Sequence, residues 1–372
     1  MTGERLERHY LDYNASAPLL PAARAAHVAA LDLTGNPSSV HAHGRAVRAL
    51  VEEARREVAA ALGVDAGQVV FTAGATEANG WALQGCGRPV RLASAVEHVS
   101  VLAQPGVETM AVDGDGVIDL PALQVRARAA GERGVLSLML ANNETGVIQP
   151  VREAARVARA AGLLVHCDAT QAVGRLSVDM AELGVDMLTL SAHKIGGPKG
   201  AGALVLREGL ALEPLLRGGG QERRRRAGTE NVPAIAGFGA AIAAQDIAGF
   251  ARLAGLRDRL ESAVVDIEPA ARFPGQATAR LANTSVVALP GVPSETQLMA
   301  FDLAGIAVSA GSACSSGKVE TSHVLRAMGV PEDIAGSAIR VSLGPQTPEA
   351  AIDAFVVAWR ALRRRQAASR AA

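Results

Sequence analysis

The sequence predicts an α/β protein in which a mostly parallel sheet is covered by helices on both faces, with a smaller α+β domain beside it. Apolar runs of strand length alternate along roughly the first two thirds of the chain with Ala-, Arg- and Glu-rich stretches of helical length. This alternation is typical of parallel strands joined by crossover helices. After about residue 246 the order of elements changes, which indicates the second, smaller domain.

The individual elements follow from hydrophobic periodicity and from turn residues. In the first part we predict strands at 69–72, 90–95, 135–141, 163–167, 187–191 and 202–206, and helices at 44–62, 76–84, 119–131, 150–161 and 232–245. In the second part we predict helices at 250–265, 294–304, 321–328 and 348–365, and strands at 283–289, 306–310 and 338–343. We expect one domain over 15–248 and another formed by 1–14 with 249–372.

Composition narrows the class of protein. The 372 residues are 49% hydrophobic but only 3% aromatic, which predicts a large core of small aliphatic side chains. The 37 basic and 37 acidic residues balance, so no global charge favours nucleic acid or a membrane surface. The charged N-terminal segment has no apolar signal region, no run is apolar enough to span a membrane, and three cysteines form neither a disulfide framework nor a metal site. We expect a soluble cytoplasmic enzyme without a metal, a membrane or a nucleic-acid partner.

Lysine is rare in this chain, and the neighbours of one lysine indicate a reactive amine. Only Lys194, Lys199 and Lys318 are lysines among the 37 basic residues. Lys194 follows the predicted strand 187–191 directly and is flanked by small residues and by His193. An amine at the end of a buried strand can form a Schiff base with an aldehyde, which a guanidinium cannot do. Base composition alone would explain the scarcity of lysine, but not this position.

Polar residues also follow three other predicted strands. Ala75 and Thr76 open a helix after strand 69–72, where backbone N–H groups and a hydroxyl suit a phosphate, unless Thr76 is an ordinary helix cap. His98 follows strand 90–95 and is either functional or a polar loop residue. Asn143 lies in an Asn- and Gly-rich stretch that turns alone could explain. Ligands of open α/β sheets bind at these carboxyl ends.

Asp168 ends the predicted strand 163–167, and Gln171 follows three residues later. An unpaired buried carboxylate is costly, so Asp168 needs a partner. A protonated pyridine nitrogen is one such partner, and that pairing keeps the ring an electron sink. Strand alternation places Cys167 on the opposite face, where it is expected to be a small core residue.

Cys314 lies in a stretch, 309–318, that has no large apolar side chain. Without packing to hold it, such a segment is expected to be mobile and exposed. Free cysteine otherwise prefers burial, so an exposed cysteine in this position is predicted to be a carrier nucleophile rather than a structural residue.

Two features are rich in arginine. Arg340 lies within the apolar strand 338–343, where a guanidinium needs an anionic partner, and a substrate carboxylate is the natural candidate. The basic run 223–226 is flanked by glycines and could bind phosphate or nucleic acid. Such runs are usually solvated, and no aromatic residues interleave to stack bases.

In this order and spacing, nine motifs make the chain resemble the cysteine desulfurases of the NifS/IscS type, which belong to the class V aminotransferase-like enzymes that use pyridoxal phosphate (PLP). The motifs are YLDYNA at 10–15, GNPSS at 35–39, GATE at 74–77, EH at 97–98, NNE at 142–144, DATQ at 168–171, SAHK at 191–194, RAGT at 226–229 and SAC at 312–314. The resemblance implies a large PLP-binding domain with a seven-stranded, mostly parallel sheet and a small domain that bears the cysteine.

The resemblance also implies a role for each matching residue. Lys194 would hold PLP as a Schiff base and move the Cα proton, His98 would stack on the ring, and Asp168 would pair with its nitrogen. Gln171 would reach the ring hydroxyl, and Asn143 and Arg340 would hold the substrate carboxylate. The phosphate would be bound by Ala75 and Thr76 at the start of the helix. Ser191, His193 and, from a second subunit, Thr229 would bind it as well.

The implied reaction converts L-cysteine to L-alanine, with Cys314 receiving the sulfur as a persulfide and passing it to an acceptor protein, for example an iron–sulfur scaffold. The implied enzyme is a homodimer with a shared active site. Selenocysteine lyase, another class V PLP enzyme and an inactive sulfur-carrier scaffold remain alternatives on these residues.

Overall fold

The structure is a computed structural model that describes residues 8–313 and 319–371, with side chains over 8–311 and 321–366. Cys314 and Lys318 lie outside the described residues. Fourteen strands occur in the described part, at β1 His9–Tyr10, β2 Val69–Thr72, β3 Val90–Ser94, β4 Val107–Met110, β5 Gly134–Ser137, β6 Leu164–Asp168, β7 Met187–Ser191, β8 Gly202–Leu206, β9 Thr284–Ala288, β10 Ile306–Ala307, β11 Ser309–Ala310, β12 Ser312–Ala313, β13 Val319–Glu320 and β14 Ala338–Ser342.

Fourteen α-helices accompany the strands in the same described ranges. They are α1 Pro21–Leu31, α2 Ala42–Ala60, α3 Ala75–Gly85, α4 Val99–Leu102, α5 Leu120–Ala130, α6 Val151–Ala160, α7 Met180–Leu183, α8 Val232–Ala243, α9 Ile247–Ala251, α10 Leu253–Ile267, α11 Ser294–Leu303, α12 His323–Ala327, α13 Glu332–Ala335 and α14 Glu349–Ala371. No single described helix is long and apolar enough to cross a membrane, whereas α8 and the stretch Ile247–Ile267, bent by 70° between them, pass that test only as a pair.

The central sheet has seven strands in the order β2-β8-β7-β6-β5-β3-β4. Only β8 runs antiparallel to its two neighbours, so the predicted mostly parallel sheet is confirmed. Because β2 and β7 both oppose β8, six strands point the same way and their carboxyl ends share one edge of the sheet.

Strand β4 was not predicted. It forms the outer edge beside β3, and three of its four residues are at least partly exposed. An edge strand that faces solvent has no continuous apolar run, and its sequence therefore gives little periodic signal.

Two predicted strands differ from the structure in their extent. The strand predicted at 135–141 ends at Ser137, yet the N–H groups of Leu138 and Leu140 still donate to carbonyls of the neighbouring β6 segment, at 3.0 and 2.9 Å. The strand predicted at 306–310 is divided into β10 and β11, which pair with different partners, β1 and β14. Helix α1 was also missed, although Pro21 at its first turn is a typical helix start.

Apolar side chains form separate clusters around the two main sheets. Val58, Phe71 and Phe238 belong to the largest cluster, which lies between the central sheet and the helices. A second cluster packs α10, α11 and α14 against β9 and β14, with the rings of Phe301 and Phe355 stacked 4.6 Å apart. The smaller sheet, β11-β14-β9, is antiparallel, as expected for an α+β domain. The domain limits at 15–248 and at 1–14 with 249–372 stay a prediction.

The N-terminal segment connects the two parts of the molecule. Strand β1 pairs with β10, and Leu11 lies in the second apolar cluster. A few residues later, the backbone N–H of the buried Asn14 donates to Ser342 Oγ at 3.0 Å, and its side-chain Nδ2 donates to Asn143 O at 3.1 Å. Asn14 therefore joins β14 of the smaller sheet to the loop that follows β5.

Candidate active site

A cleft of about 820 Å³ lies at the carboxyl edge of the central sheet. Residues that follow β2, β3, β5, β6 and β7 line this cleft, which is where ligands bind in open α/β sheets. The cleft is lined by nearly all the predicted site residues that the structure describes, namely Ala75, Thr76, His98, Asn143, Asp168, Gln171, Ser191, His193, Lys194 and Arg340. Thr229 is not among the lining residues, and Cys314 lies outside the described residues.

Lys194 projects from a short 3-10 helix, Ala192–Lys194, directly after β7. Its Nζ donates to Asn14 O at 2.7 Å and to Ala15 O at 2.9 Å. Burial, followed by the nearby charges of Arg340 and Arg175, lowers the pKa of Lys194 from 10.5 to about 8. A lowered pKa increases the neutral fraction of the amine near pH 7, which is the form that attacks an aldehyde.

Asp168, at the end of β6, presents a buried carboxylate to the cleft. Its Oδ2 accepts from Asn79 Nδ2 at 2.7 Å, and its Oδ1 accepts from Thr170 N at 2.9 Å. No ion pair within the described part of the chain includes Asp168, although a buried carboxylate favours a cationic partner. The preceding Cys167 is fully buried in the main apolar cluster, which confirms its predicted position on the other face.

Gln171 and Thr170 have polar atoms without partners at the cleft. Gln171 Nε2 donates to Asn14 O at 3.0 Å, which leaves Gln171 Oε1 buried and without a hydrogen bond. Thr170 Oγ1 is also buried and has no partner. Buried polar atoms in folded proteins are nearly always satisfied, so these two atoms indicate a missing polar ligand.

The start of α3 forms one end of the cleft. Gly74 is the N-cap, and no side chain caps the helix, so the reading of Thr76 as an ordinary cap is wrong. Thr76 is instead exposed toward the cleft in the first turn. Free backbone N–H groups and a hydroxyl at the start of an 11-residue helix make a site that favours an anion.

His98 is the N-cap of α4, and its ring lies in the cleft. Its Nδ1 accepts from Ser100 N at 3.1 Å and lies 2.8 Å from Ser100 Oγ. Burial lowers the pKa of His98. The negative charge of Asp168 raises it, and the smaller effects of Lys194 and His323 lower it. The ring is therefore held in a fixed orientation and is neutral at pH 7.

Arg340 and Asn143 lie together on the side of the cleft that the smaller sheet forms. Arg340 already has an anionic partner, because its Nη2 donates to Asp12 Oδ1 at 2.7 Å, and its Nη1 donates to Asn143 O at 3.1 Å. Sequence reasoning did not find this partner. The Nε of Arg340 is buried and has no hydrogen bond, so one donor of the guanidinium is free for a ligand.

Ser191 is the N-cap of the short helix that carries Lys194, and His193 lies within that helix. Ser191 is buried at the end of β7, and His193 Nδ1 lies 3.3 Å from Ser16 Oγ. Burial and the nearby charges of Lys194 and Lys199 lower the pKa of His193 to about 4, so its ring is neutral.

The basic run 223–226 is less solvated than the sequence predicts. The preceding Glu222 is buried and forms two hydrogen bonds with Arg55, at 2.7 and 2.8 Å, and Arg226 pairs with Glu77 at 2.9 Å. Glu222, Arg223 and Arg224 all have positive φ, which is costly for residues other than glycine. Thr229 follows this run and is exposed.

Several residues that shape the site were missed. Asn79 holds Asp168, His323 lines the cleft with its Nε2 2.9 Å from Glu97 O, and Asp12 holds Arg340. Of these, only Asn79 had a usable signal, since it lies three residues after Thr76 and therefore on the same face of a predicted helix. Burial and Asp168 raise the pKa of Glu97 to about 8, so this hidden carboxyl beside the cleft is largely protonated at neutral pH.

The arrangement suits a particular kind of ligand. A partly deprotonated amine, an unpaired buried carboxylate and an open helix start fit a cationic aromatic ring that bears an aldehyde and a phosphate. The free donor of Arg340, on the opposite side of the cleft, fits the carboxylate of a second, smaller molecule.

The comparisons with known proteins agree with this chemistry. The profile of the family "Aminotransferase class-V" matches residues 9–355. A cysteine desulfurase of Cereibacter sphaeroides is 45% identical over 366 residues, which cover 94% of each chain, and cysteine desulfurase 2 of Trichormus variabilis is 41% identical, covering 92% of this chain and 90% of that protein.

Solved structures give the same result. The NifS-like protein of Rickettsia africae superposes with a TM-score of 0.90 at 33% identity, covering 96% of this chain and all of the other. A structure of SspA in complex with cysteine superposes with a TM-score of 0.79 at 29% identity, covering 91% of this chain and all of the other. The fold, the family match over most of the chain and the relatives above 40% identity lead to one conclusion: the chain belongs to the class-V aminotransferase family.

Proposed function

We propose that this protein is a PLP-dependent cysteine desulfurase that converts L-cysteine to L-alanine and collects the sulfur on Cys314 as a persulfide. The cysteine desulfurases of Cereibacter and Trichormus, similar over more than 90% of this chain, support the reaction. The likeness to SspA, whose structure holds cysteine, supports the substrate. The observation that carries the proposal is the amine of Lys194, with its pKa lowered to about 8, in one cleft with the unpaired carboxylate of Asp168.

The residues present fit PLP. The unpartnered Gln171 Oε1 would accept from the ring hydroxyl, and Asp168 would pair with the protonated ring nitrogen. The phosphate would be held at the start of α3 by the backbone around Ala75 and by Thr76. Ser191 and His193, at the end of β7, would complete that group. When bound, PLP supplies an electron sink that allows the Cα–H bond and then the Cβ–S bond of cysteine to be weakened.

The chain's own side chains perform the remaining tasks. Lys194 would hold the aldehyde group of the cofactor, and the lowered pKa of its amine suits it to take the Cα proton of the substrate. His98, fixed through Ser100, would stack on the ring and assist that proton transfer. Arg340 would hold the substrate carboxylate through its free Nε, with Asn143 beside it, because Asp12 already occupies the other end of the guanidinium.

The sulfur transfer balances without an external oxidant. The thiolate of Cys314 attacks the sulfur of the substrate, a new S–S bond forms, and the Cβ–S bond breaks with its electron pair moving to carbon. Carbon takes up a proton, so cysteine and a thiol yield alanine and a persulfide. The sulfur would then pass to a thiol of an acceptor protein, for example one that assembles iron–sulfur clusters.

The same proposal includes a homodimer with a shared active site, in which Thr229 of a second copy reaches the phosphate. The exposure of Thr229 and its absence from the cleft of its own chain support this role. A cytoplasmic location, and the two domains at 15–248 and at 1–14 with 249–372, belong to the proposal as well.

The test is the amount of alanine and of sulfide that the purified protein forms from L-cysteine in the presence of a thiol reductant. We expect equal amounts of both. Lys194→Ala abolishes turnover and Schiff-base absorbance, whereas Cys314→Ser keeps the coloured cofactor and releases no sulfide. The matched control is Cys86→Ser, since Cys86 is half-buried outside the cleft and donates only to Leu83 O.

Two results would contradict the proposal. Normal sulfide output from Cys314→Ser would exclude the persulfide route. Alanine formed from selenocysteine but not from cysteine would make the protein a selenocysteine lyase instead.

A further inference from the structure

Arg175 is a buried arginine on the far side of Lys194 from the cleft. It follows β6 in the chain and is 5% exposed. Its Nη1 donates to Asn14 Oδ1 at 2.6 Å, its Nη2 lies 3.5 Å from Lys194 O, and its guanidinium lies 5.7 Å from the centre of the Phe250 ring. All of these contacts are to neutral groups.

Arg175 differs in this respect from the other deeply buried arginines of the described chain. Arg55 pairs with Glu222 at 2.7 Å, and Arg340 pairs with Asp12 at 2.7 Å. No ion pair between described residues includes Arg175. A buried cation without a counter-charge is strongly unfavourable, and burial together with Arg340 lowers the pKa of Arg175 to about 9.

A cavity of about 130 Å³ adjoins Arg175 and is separate from the active-site cleft. Its wall combines cationic groups with apolar surfaces, since Arg175 and Lys194 line it together with Tyr13, Ile195 and Phe250. This volume has room for a small ion and a few waters. Positive charge beside aromatic and aliphatic surfaces favours a weakly hydrated anion over a phosphate, which needs several directed donors.

One acid also lines the cavity, and its charge is already engaged. The side chain of Asp246 is 70% exposed, so it lies at the solvent edge. Its Oδ1 accepts from Gly249 N at 2.7 Å as the cap of α9, and its Oδ2 lies 3.7 Å from Arg252. Asp246 therefore does not neutralise Arg175 at the inner end of the cavity.

We propose that this cavity is a binding site for a small monovalent anion, such as a halide or formate, with Arg175 as its main cationic contact. This proposal is independent of the desulfurase reaction, because no step of that reaction is used to argue it. A bound anion would supply the missing counter-charge for Arg175. It would also offset the positive charge of Arg175, which is one of the two arginines that lower the pKa of Lys194.

The first experiment measures thermal unfolding of the protein as purified, while chloride replaces gluconate at constant ionic strength. Raising chloride from about 10 mM to about 200 mM should raise the melting temperature by about 2 °C if the dissociation constant is near 10 mM. In Arg175→Met this dependence should disappear. The matched control is Arg91→Met, because Arg91 also donates only to carbonyls, at 2.9 and 2.7 Å, but lines none of these cavities.

The second experiment locates the ion directly. Crystals of the unaltered protein soaked in bromide should give an anomalous peak beside the Arg175 guanidinium. Absence of that peak overturns the proposal even if Arg175→Met fails to fold. Equal chloride dependence in Arg175→Met and the unaltered protein also overturns it, since the ion would then act elsewhere.

Discussion

The lowered pKa of Lys194 gives a quantitative prediction for the protein stripped of its cofactor. Burial is the largest cause of the shift in the pKa of Lys194 from 10.5 to about 8, and the charge of Arg340 is the next largest. At pH 7, about one amine in ten is neutral with a pKa of 8, against about one in three thousand with a pKa of 10.5. Schiff-base formation at pH 7 should therefore be about 300-fold faster than for an exposed lysine of equal intrinsic reactivity.

The assay follows the absorbance of the Schiff base after the stripped protein is mixed with an aromatic aldehyde, across pH 6 to 10. The rate should rise with pH to a midpoint near 8. Arg340→Met removes a nearby positive charge, which raises the pKa of Lys194, so the midpoint should move to higher pH and the rate at pH 7 should fall. Lys199→Met, which removes the exposed neighbouring lysine, should leave the midpoint in place.

The lowered pKa of Lys194 also predicts the direction in which stability changes with pH. The pKa of Lys194 is lower in the folded protein than in the unfolded chain, so the unfolded chain binds more protons between pH 8 and 10.5. The contribution of Lys194 to the free energy of unfolding therefore rises with pH across that window by about 3 kcal/mol.

A midpoint of the Schiff-base reaction near pH 10.5, or a midpoint that does not respond to Arg340→Met, would refute the electrostatic reasoning.

Three further predictions concern packing and buried charge. Glu222→Gln breaks the buried pair with Arg55 and should lower the free energy of unfolding by about 3–5 kcal/mol in a denaturant titration. Gly311→Ala places a Cβ 2.7 Å from Ser322 Cβ and should cost about 1–3 kcal/mol by the same measurement, whereas no loss would show that the backbone yields there. Phe355→Ala leaves a cavity in the second apolar cluster and should cost about 3–5 kcal/mol, with a smaller loss if the site collapses.

Much of the large sheet could be predicted because its strands are buried on both faces and therefore read as uninterrupted apolar runs. Strands β2, β7 and β8 begin and end at the predicted residues. Strand β4 could not be found this way, because half of its residues face solvent at the sheet edge. The single strand predicted at 306–310 failed because hydrogen-bond partners, not local sequence, decide that β10 and β11 belong to different sheets.

The residues of the candidate site likewise fall into those that the sequence predicts and those that it does not. Residues that directly follow a buried strand, such as Asp168 and Lys194, were predictable, because strand ends in an α/β sheet converge at one edge. Contacts between distant parts of the chain were not. Asp12 meets Arg340 across 328 positions, and nothing near Arg340 in the sequence indicates that its anionic partner is an internal carboxylate.

Asn14 gives the site an order of assembly during protein synthesis. Lys194 donates to the carbonyl of Asn14, which is itself fixed by Ser342 and by Thr284 Oγ1 at 2.9 Å. The ribosome makes the strands of the large sheet and Lys194 well before it makes Ser342. A nascent chain can therefore form its central sheet early, but the amine acquires its acceptors only when β14 has emerged from the ribosome and docked. A protein truncated before that strand would keep most of its large core and lose the geometry of its lysine.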